Sequence, residues 1–126
     1  LWNLEGKIVT VLGLSFKPDT DDMRFAPSVD IINRLRSEGV RIQAYDPKAM
    51  AKAKKLIKGI EFVKTPYEAC RGADALLILT EWREFRELDL KKVKKLLKRP
   101  VVIDGRNLYE PSEMKGLGFR YYSIGR

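Results

Sequence analysis

The sequence contains no histidine and a single cysteine, Cys70. One cysteine cannot form a disulfide within the chain, and without histidine it has no imidazole to serve as its general base. No apolar run approaches the roughly 20 residues that a membrane-spanning helix requires. Repeats and low-complexity segments are also absent, and no charged-then-apolar leader follows Leu1. These absences predict a soluble, cytoplasmic domain, which we interpret as part of a longer protein.

The 126 residues fit one domain with one core, and they carry an excess of positive charge. Lys and Arg total 25 against 17 Asp and Glu, which gives a net charge of +8. Much of the excess lies in two segments, 48–58 and 91–99, where lysines are interleaved with apolar residues at helical spacing. That pattern favours solvated helix faces, because no aromatic platform accompanies it. A basic module that binds nucleic acid or another polyanion stays open as an alternative.

Hydrophobic periodicity alternates between strands and helices along the whole chain. It predicts strands over 8–12, 40–45, 60–63, 73–79, 101–104 and 119–124. It predicts helices over 27–38, from the Asp46-Pro47 cap to 57, and over 66–71, 88–97 and 111–115. In the second helix, Ala49, Ala53, Leu56 and Ile57 are expected to face the sheet. We therefore predict an α/β domain of three layers, with a doubly wound, mostly parallel, Rossmann-like sheet.

Charged and polar residues follow several of these strands directly. Because parallel strands end at the same side of a sheet, these residues are expected to share one edge, which we name the carboxyl edge. It is formed by Phe16, Lys17, Asp46, Thr80, Glu81 and Arg106. Arg24 follows Lys17 by seven residues in the loop before the first helix. We expect both arginines and Lys17 to converge at this edge. Arginine forks and a lysine point charge suit a diphosphate, so an anion site is predicted there.

Asp46 ends the second strand, where a dinucleotide-binding domain places the acid that binds a ribose. The glycine fingerprint that accompanies such an acid is missing, because Gly13 is followed by Leu14-Ser15-Phe16-Lys17. Asp46 followed by Pro47 is also typical of a helix cap. We predict that Asp46 is a cap and that this chain does not bind NAD by itself.

Three acids, Asp19, Asp21 and Asp22, lie in the loop after the first strand. A metal-dependent phosphatase is a further alternative built on them. Their distance from the strand and the nearby Lys17 and Arg24 favour another interpretation, in which they brace the loop and hold Arg24.

Two aromatic residues and the cysteine are more typical of a core than of a site. Trp82 and Phe85 lie three residues apart at a predicted helix start, where they are expected to anchor the helix, with stacking on a base as the alternative. Cys70 precedes a buried strand and is expected to be a buried structural thiol.

Four motifs together resemble the C-terminal domain of the UDP-glucose/GDP-mannose dehydrogenase family. They are the block Gly13-Leu14-Ser15-Phe16-Lys17-Pro18-Asp19-Thr20-Asp21-Asp22-Met23-Arg24, then Ala44-Tyr45-Asp46-Pro47, Thr80-Glu81-Trp82 and Asp104-Gly105-Arg106-Asn107. The resemblance covers essentially the whole chain, in order and at family spacing.

The resemblance implies a place for this chain in a larger enzyme. Full-length members oxidise the C6 hydroxyl of a nucleotide sugar in two NAD-dependent steps, through a thiohemiacetal and a thioester on a cysteine. Their N-terminal domain holds NAD, and a central region carries the cysteine and joins subunits into homo-oligomers. Residues 1–126 would then be the C-terminal domain. Its implied partners are a UDP-sugar and the parent's other domains, with no nucleic acid and no membrane.

The resemblance also implies roles for single residues. Phe16 and Lys17 match substrate-contacting positions, Arg106 matches an arginine that reaches the nucleotide sugar, and Arg24 matches an arginine that contacts NAD. Phe25 departs from the family, which commonly has an acid there. The catalytic cysteine is absent, since Cys70 does not match it, so no catalytic and no metal-binding residue is expected here. The expected parent converts UDP-glucose to UDP-glucuronate, and the fragment alone is expected to be inactive.

Overall fold

Six strands form one sheet in the computed structural model, which describes residues 3–15, 17, 19–24 and 26–123. They are β1 (Ile8–Leu12), β2 (Arg41–Tyr45), β3 (Glu61–Phe62), β4 (Ala75–Ile78), β5 (Val101–Asp104) and β6 (Arg120–Ser123). Their order is β3-β2-β1-β4-β5-β6, and every neighbouring pair is parallel. The predicted doubly wound sheet is confirmed, with β3 at one edge as expected.

Helices connect the strands. They are α1 (Pro27–Ser37), α2 (Met50–Leu56), α3 (Pro66–Cys70), α4 (Arg83–Arg86), α5 (Leu90–Leu96) and α6 (Pro111–Gly116). The residues from Pro47 to Ala49 form a turn, so α2 begins later than the Asp46-Pro47 signal indicated. The single helix expected over 88–97 is preceded by the separate short helix α4.

The alternation of side chains along β1 divides the core between the two faces of the sheet. Val9 and Val11 pack with the buried residues of α1 and α2, such as Ile32 and Ala53. On the opposite face, Leu12 belongs to the cluster formed with α3 to α6. The helices therefore cover both faces, and the predicted three-layer architecture is confirmed.

One expected core residue lies in solvent. Leu56 is 54% exposed, whereas Ala49, Ala53 and Ile57 are buried as expected. These three residues are spaced by four, so they form the stripe of the α2 segment that faces the sheet. Leu56 falls at the margin of that stripe, and the prediction that it faces the sheet was wrong.

Candidate functional site

The loop that follows β1 is pressed against the segment that follows β4. Gly13 has a φ of 96°, and a Cβ atom at this position would lie 2.5 Å from the Cβ of Thr80. The Thr80 hydroxyl donates a hydrogen bond to the Ser15 carbonyl at 2.9 Å, and the Ser15 hydroxyl donates to the Lys17 carbonyl at 2.9 Å. These contacts hold the backbone of residues 13 to 17 against the segment that follows β4. The Lys17 side chain is exposed and has no partner within the described part of the chain.

The loop that follows β5 contacts the same segment from the other side. The Gly105 amide donates to the Ile78 carbonyl at 2.9 Å. One guanidinium nitrogen of Arg106, Nη2, lies 2.5 Å from Oε1 of Glu81. Both side chains are partly exposed, Arg106 by 42% and Glu81 by 33%. Contacts thus join the ends of β1, β4 and β5 along the carboxyl edge.

The buried carboxylate of Asp104, at the end of β5, accepts hydrogen bonds from the loop that carries Arg106. Oδ1 accepts a hydrogen bond from the Arg106 amide at 2.9 Å. Oδ2 accepts from the Leu108 and Tyr109 amides at 2.7 and 3.2 Å, and from the Tyr121 hydroxyl at 2.6 Å. Asn107, between Arg106 and Leu108 in the loop, adopts a φ of 56°, a left-handed conformation that asparagine tolerates better than most residues. Asp104 therefore determines the path of the loop that carries Arg106.

Asp46 occupies the equivalent place at the end of β2 and is also buried. Its Oδ2 accepts hydrogen bonds from the Leu14 and Ser15 amides at 2.7 and 3.2 Å. Its Oδ1 accepts from the Lys48 and Ala49 amides at 2.8 and 2.7 Å. Asp46 therefore caps the turn over Pro47 to Ala49, whereas the predicted helix cap was wrong, since α2 begins after Ala49, which provides no side-chain cap. Because both oxygens are engaged with backbone amides, Asp46 is not free to bind the hydroxyls of a ribose, so this end of β2 does not fit a dinucleotide.

Arg24 lies on the face of the sheet that α1 and α2 cover. It shares a shallow groove with Met23, Lys52 and Leu56. Its Nε and Nη2 each lie 3.1 Å from the Asp22 carboxylate, and its side chain is 83% exposed. Hydrogen bonds from the Arg24 side chain, with a further one from its backbone amide, lower the pKa of Asp22 to about 2. The same pairing raises the pKa of Arg24.

The loop acids bind neighbouring cations. Asp22 holds Arg24, and Asp21 lies 3.2 Å from the ammonium of Lys52. Within the described ranges, no group of three or more acidic or cysteine side chains is close enough to hold a metal ion. This arrangement matches the interpretation in which the acids brace the loop, and nothing in it favours a phosphatase.

Burial settles the roles of the aromatic residues and the cysteine. Trp82 and Phe85 are buried, and the Phe85 ring packs edge-on against Tyr45 with centroids 6.2 Å apart. They anchor α4 as expected, and neither is available for stacking on a base. Cys70 is fully buried, and this burial raises the pKa of its thiol to about 12. It is a structural thiol, as expected.

Several lysines of the basic segments are engaged locally. The Lys92 ammonium lies 4.3 Å from the centroid of the Tyr67 ring, and the Lys94 ammonium donates to the Leu117 carbonyl at 2.9 Å. Lys54 lies over the Phe62 ring at 5.7 Å. These contacts favour solvated helix faces over a polyanion-binding surface. None of the helices in the described ranges has the length and hydrophobicity that a membrane crossing needs.

Two expected positions fall outside the described residues, namely Phe16 and Phe25. Among the others, Arg106 and Glu81 are in direct contact, and hydrogen bonds of Ser15 and Thr80 join the Lys17 backbone to the same edge. The side chain of Arg24 pairs with Asp22 instead, and within the described residues no contact supports its expected convergence with Lys17 and Arg106. Sequence reasoning placed Glu81 at the carboxyl edge but did not assign it a role, and it did not single out Asp104. The available signal was an acid at or shortly after the ends of β4 and β5, at the edge where the arginine was expected.

A comparison with protein-family models identifies the domain to which the chain is similar. A model of the UDP-glucose/GDP-mannose dehydrogenase family, UDP binding domain, matches residues 10–111. The matched range includes every motif on which the sequence resemblance was based.

Individual curated relatives are similar to this chain over almost its whole length. The UDP-glucose 6-dehydrogenase of Rhizobium meliloti (strain 1021) is 48% identical over 124 residues, which are 98% of this chain and 28% of that protein. UDP-glucose 6-dehydrogenase TuaD of Bacillus subtilis (strain 168) is 47% identical, over 98% of this chain and 27% of that protein. This chain therefore spans little more than a quarter of the length of these curated relatives.

Solved structures superpose well on the fold. The NDP-N-acetyl-D-galactosaminuronic acid dehydrogenase of Methanosarcina mazei Go1 gives a TM-score of 0.85 at 33% identity, covering 98% of this chain and 26% of that one. A UDP-glucose dehydrogenase of Pyrobaculum islandicum gives a TM-score of 0.79 at 31% identity, covering 96% and 26%. The chain belongs to the UDP-glucose/GDP-mannose dehydrogenase family, in which it corresponds to the UDP-binding domain.

Proposed function

We propose that this chain binds the nucleoside diphosphate of a nucleotide sugar within a longer NAD-dependent 6-dehydrogenase. The substrate of that parent enzyme would be UDP-glucose and its product UDP-glucuronate, since curated relatives carry the name UDP-glucose 6-dehydrogenase. The observation that supports the proposal most directly is the joining of three strand ends at one edge, with Arg106 exposed on it. Ligands of open α/β sheets bind at such an edge.

Arg106 and Lys17 would act on the diphosphate in different ways. A guanidinium presents paired N–H groups that match two phosphate oxygens, and the Arg106 backbone is already fixed by Asp104. The exposed Lys17 ammonium would follow the phosphate as a mobile point charge. Phe16 belongs to this proposed substrate site through the family pattern alone.

The remaining domains of the parent would supply what this chain lacks. When bound, NAD supplies the acceptor for the two hydrides that the oxidation of an alcohol to a carboxylate releases. We infer that this chain does not bind NAD by itself, which the engagement of both Asp46 oxygens by backbone amides supports. Its proposed contribution toward the cofactor is Arg24, whose exposed guanidinium can meet an anion on a facing domain. The parent is proposed to be a cytoplasmic homo-oligomer.

The isolated chain should bind UDP weakly. Hydrogen bonds to charged groups contribute about 1.5 to 3 kcal/mol each, and ordering the ligand consumes much of that gain. Two or three such contacts without the opposing wall of the enzyme correspond to a dissociation constant of roughly 1 mM. No turnover of UDP-glucose is expected from the fragment.

This expectation can be measured by titrating the 126-residue chain with UDP while following assigned backbone amide NMR signals. Saturable shifts are expected in residues 15–28 and 104–107. Arg106→Ala and Lys17→Ala should each reduce the affinity for UDP. Lys91→Ala, which removes an exposed lysine from α5, is the matched control and should leave the affinity unchanged. Shifts confined to other parts of the chain, or an equal loss in all three variants, would contradict the proposed site.

A further inference from the structure

A negative charge stands where we have proposed that an anion binds. Glu81 lies at the carboxyl edge, and its carboxylate contacts Nη2 of Arg106 at 2.5 Å. Neither side chain has another partner within the described part of the chain. We propose that Glu81 is a positioning residue, which aims the Arg106 guanidinium at the ligand phosphate. This inference rests on the proposed function and assigns a role at that same site.

The surroundings indicate which of the two residues holds the other. Glu81 lies between Thr80 and Trp82, which are 1% and 6% exposed, so the core fixes its backbone on both sides. Thr80 is fixed further by its hydrogen bond to Ser15. The backbone of Arg106 is fixed as well, by Asp104, but the Arg106 side chain is exposed and has more rotatable bonds than that of Glu81. The long arginine side chain therefore takes its direction from the carboxylate, and not the reverse.

The contact also leaves the guanidinium able to bind an anion. A guanidinium has five N–H donors in a rigid planar fork, and Glu81 engages only one of its terminal nitrogens. The remaining donors stay available for two phosphate oxygens. An arginine loses rotamer freedom when a ligand immobilises it, which weakens binding, and a side chain that is already oriented loses less. Orientation by Glu81 thus compensates for the repulsion between its carboxylate and the phosphate.

Two substitutions separate orientation from charge. Glu81→Gln keeps an oxygen that accepts the Arg106 hydrogen bond but removes the negative charge, whereas Glu81→Ala removes both. If Glu81 positions Arg106, Glu81→Ala should raise the dissociation constant for UDP by about 3- to 10-fold, as loss of preorganisation of one long side chain predicts. Glu81→Gln should stay within about 2-fold of the wild type or bind more tightly. Glu87→Ala is the matched control, since Glu87 forms an exposed ion pair with Arg83.

Two further measurements distinguish this role from general structural damage. Uridine lacks the phosphates, so its binding should be unchanged in Glu81→Ala. In the Arg106→Ala background, Glu81→Ala should cause no additional loss of UDP affinity, because its effect passes through Arg106. In the free protein, the Arg106 Nε–H group should show faster side-chain motion by ¹⁵N relaxation in Glu81→Ala than in Glu81→Gln.

The outcomes differ for this inference and for the proposed function. Tighter UDP binding by Glu81→Ala would mean that the carboxylate merely competes with the phosphate, which overturns the inference. Unchanged affinity, or a loss that persists without Arg106 or extends to uridine, would overturn it as well. In each of these cases UDP binding by the wild type would still support the proposed function. No UDP binding by the folded wild-type chain would overturn both.

Discussion

The two arginines of the proposed sites differ in what holds them. Arg24 is paired with Asp22, two positions away on the same loop, and its side chain is 83% exposed. Arg106 is paired with Glu81, 25 positions away on a different strand end. Exposed local pairs contribute little to stability and rearrange easily. Arg24 is therefore suited to meet a facing surface, while Arg106 forms part of a fixed edge.

The Asp22 carboxyl should report on Arg24 directly. Its pKa is lowered from 3.8 to about 2 by the hydrogen bonds from Arg24, so the ionised pair persists above pH 4 and is lost as the pH falls through about 2. We expect a ¹³C carboxyl NMR titration of Asp22 to have its midpoint near 2 in the wild type. In Arg24→Ala the midpoint should rise toward 3.8, while Lys91→Ala should not move it. An unchanged midpoint in Arg24→Ala would mean that the pair does not form in solution.

At the level of single residues, the sequence predicted at which edge of the sheet a residue lies, but not which side chains contact one another. Lys17 and Arg106 could be placed at one edge because each follows a strand of a parallel sheet, which is a consequence of topology alone. Asp46 could be recognised as an acceptor for the backbone amides that follow it because Pro47 comes next, although those amides belong to the turn before α2. The pairing of Arg106 with Glu81 could not be predicted, because it depends on the rotamers of two long side chains and on how closely two loops approach.

Among the structural elements, the loops after β2 and β5 are built in the same way. Each is held by a buried aspartate, Asp46 or Asp104, that ends the strand and accepts hydrogen bonds from backbone amides. A buried carboxylate that accepts several such bonds replaces its lost hydration with fixed donors. The conformation of the Arg106 loop therefore depends on one side chain.

Asp104→Ala should test this dependence. It leaves the amides of Arg106, Leu108 and Tyr109 without their acceptor. We expect a loss of about 3 kcal/mol in the free energy of unfolding, measured with urea, because each unsatisfied buried group costs about 1 to 3 kcal/mol. Amide signals of residues 105–109 should also shift or broaden.

The control for this variant is Glu38→Ala, which changes an exposed acid outside the carboxyl edge and should alter stability by less than about 0.5 kcal/mol. Asp104→Asn keeps one acceptor oxygen and should fall between the alanine variant and the wild type. Equal stability of Asp104→Ala and wild type would show that the loop does not rely on the carboxylate.

The bounds of the elements were predicted with different accuracy, and even the strongly apolar β4 is shorter than the expected 73–79. Strands β1 and β5 and helix α1 have strong hydrophobic patterns, and their bounds agree with the expected ranges to within a residue. Helix α4 has four residues, too few to show a helical period. The start of α2 was misplaced because the cap signal of Asp46-Pro47 marks the turn before the helix rather than the helix itself.

For the molecule as a whole, the reaction rate of the Cys70 thiol measures how often the folded protein opens. The thiol is buried between α3 and the sheet, and burial raises its pKa to about 12, so it stays protonated at neutral and mildly alkaline pH. We expect the native chain to react with a disulfide reagent at pH 8 roughly a hundredfold more slowly than a free thiol, since the thiolate is the nucleophile and access is blocked. In denaturant the thiol should react fully.

A matched comparison uses Asp104→Ala, in which a lower free energy of unfolding should increase the reaction rate by opening the protein more often. Glu38→Ala should react at the wild-type rate. Fast reaction of the native wild type would place Cys70 at an accessible surface, contrary to the fold described above.

The carboxyl edge also has a consequence for how the chain acquires its shape. The bond between Thr80 and Ser15 joins residues 65 positions apart, and that between Asp46 and Leu14 spans 32. Such distant segments meet only after large loops have closed, and parallel pairing makes this step slow. The loops of the proposed anion site therefore cannot form early from their own local preferences. Competence to bind should emerge last during refolding, after the central strands have found their neighbours.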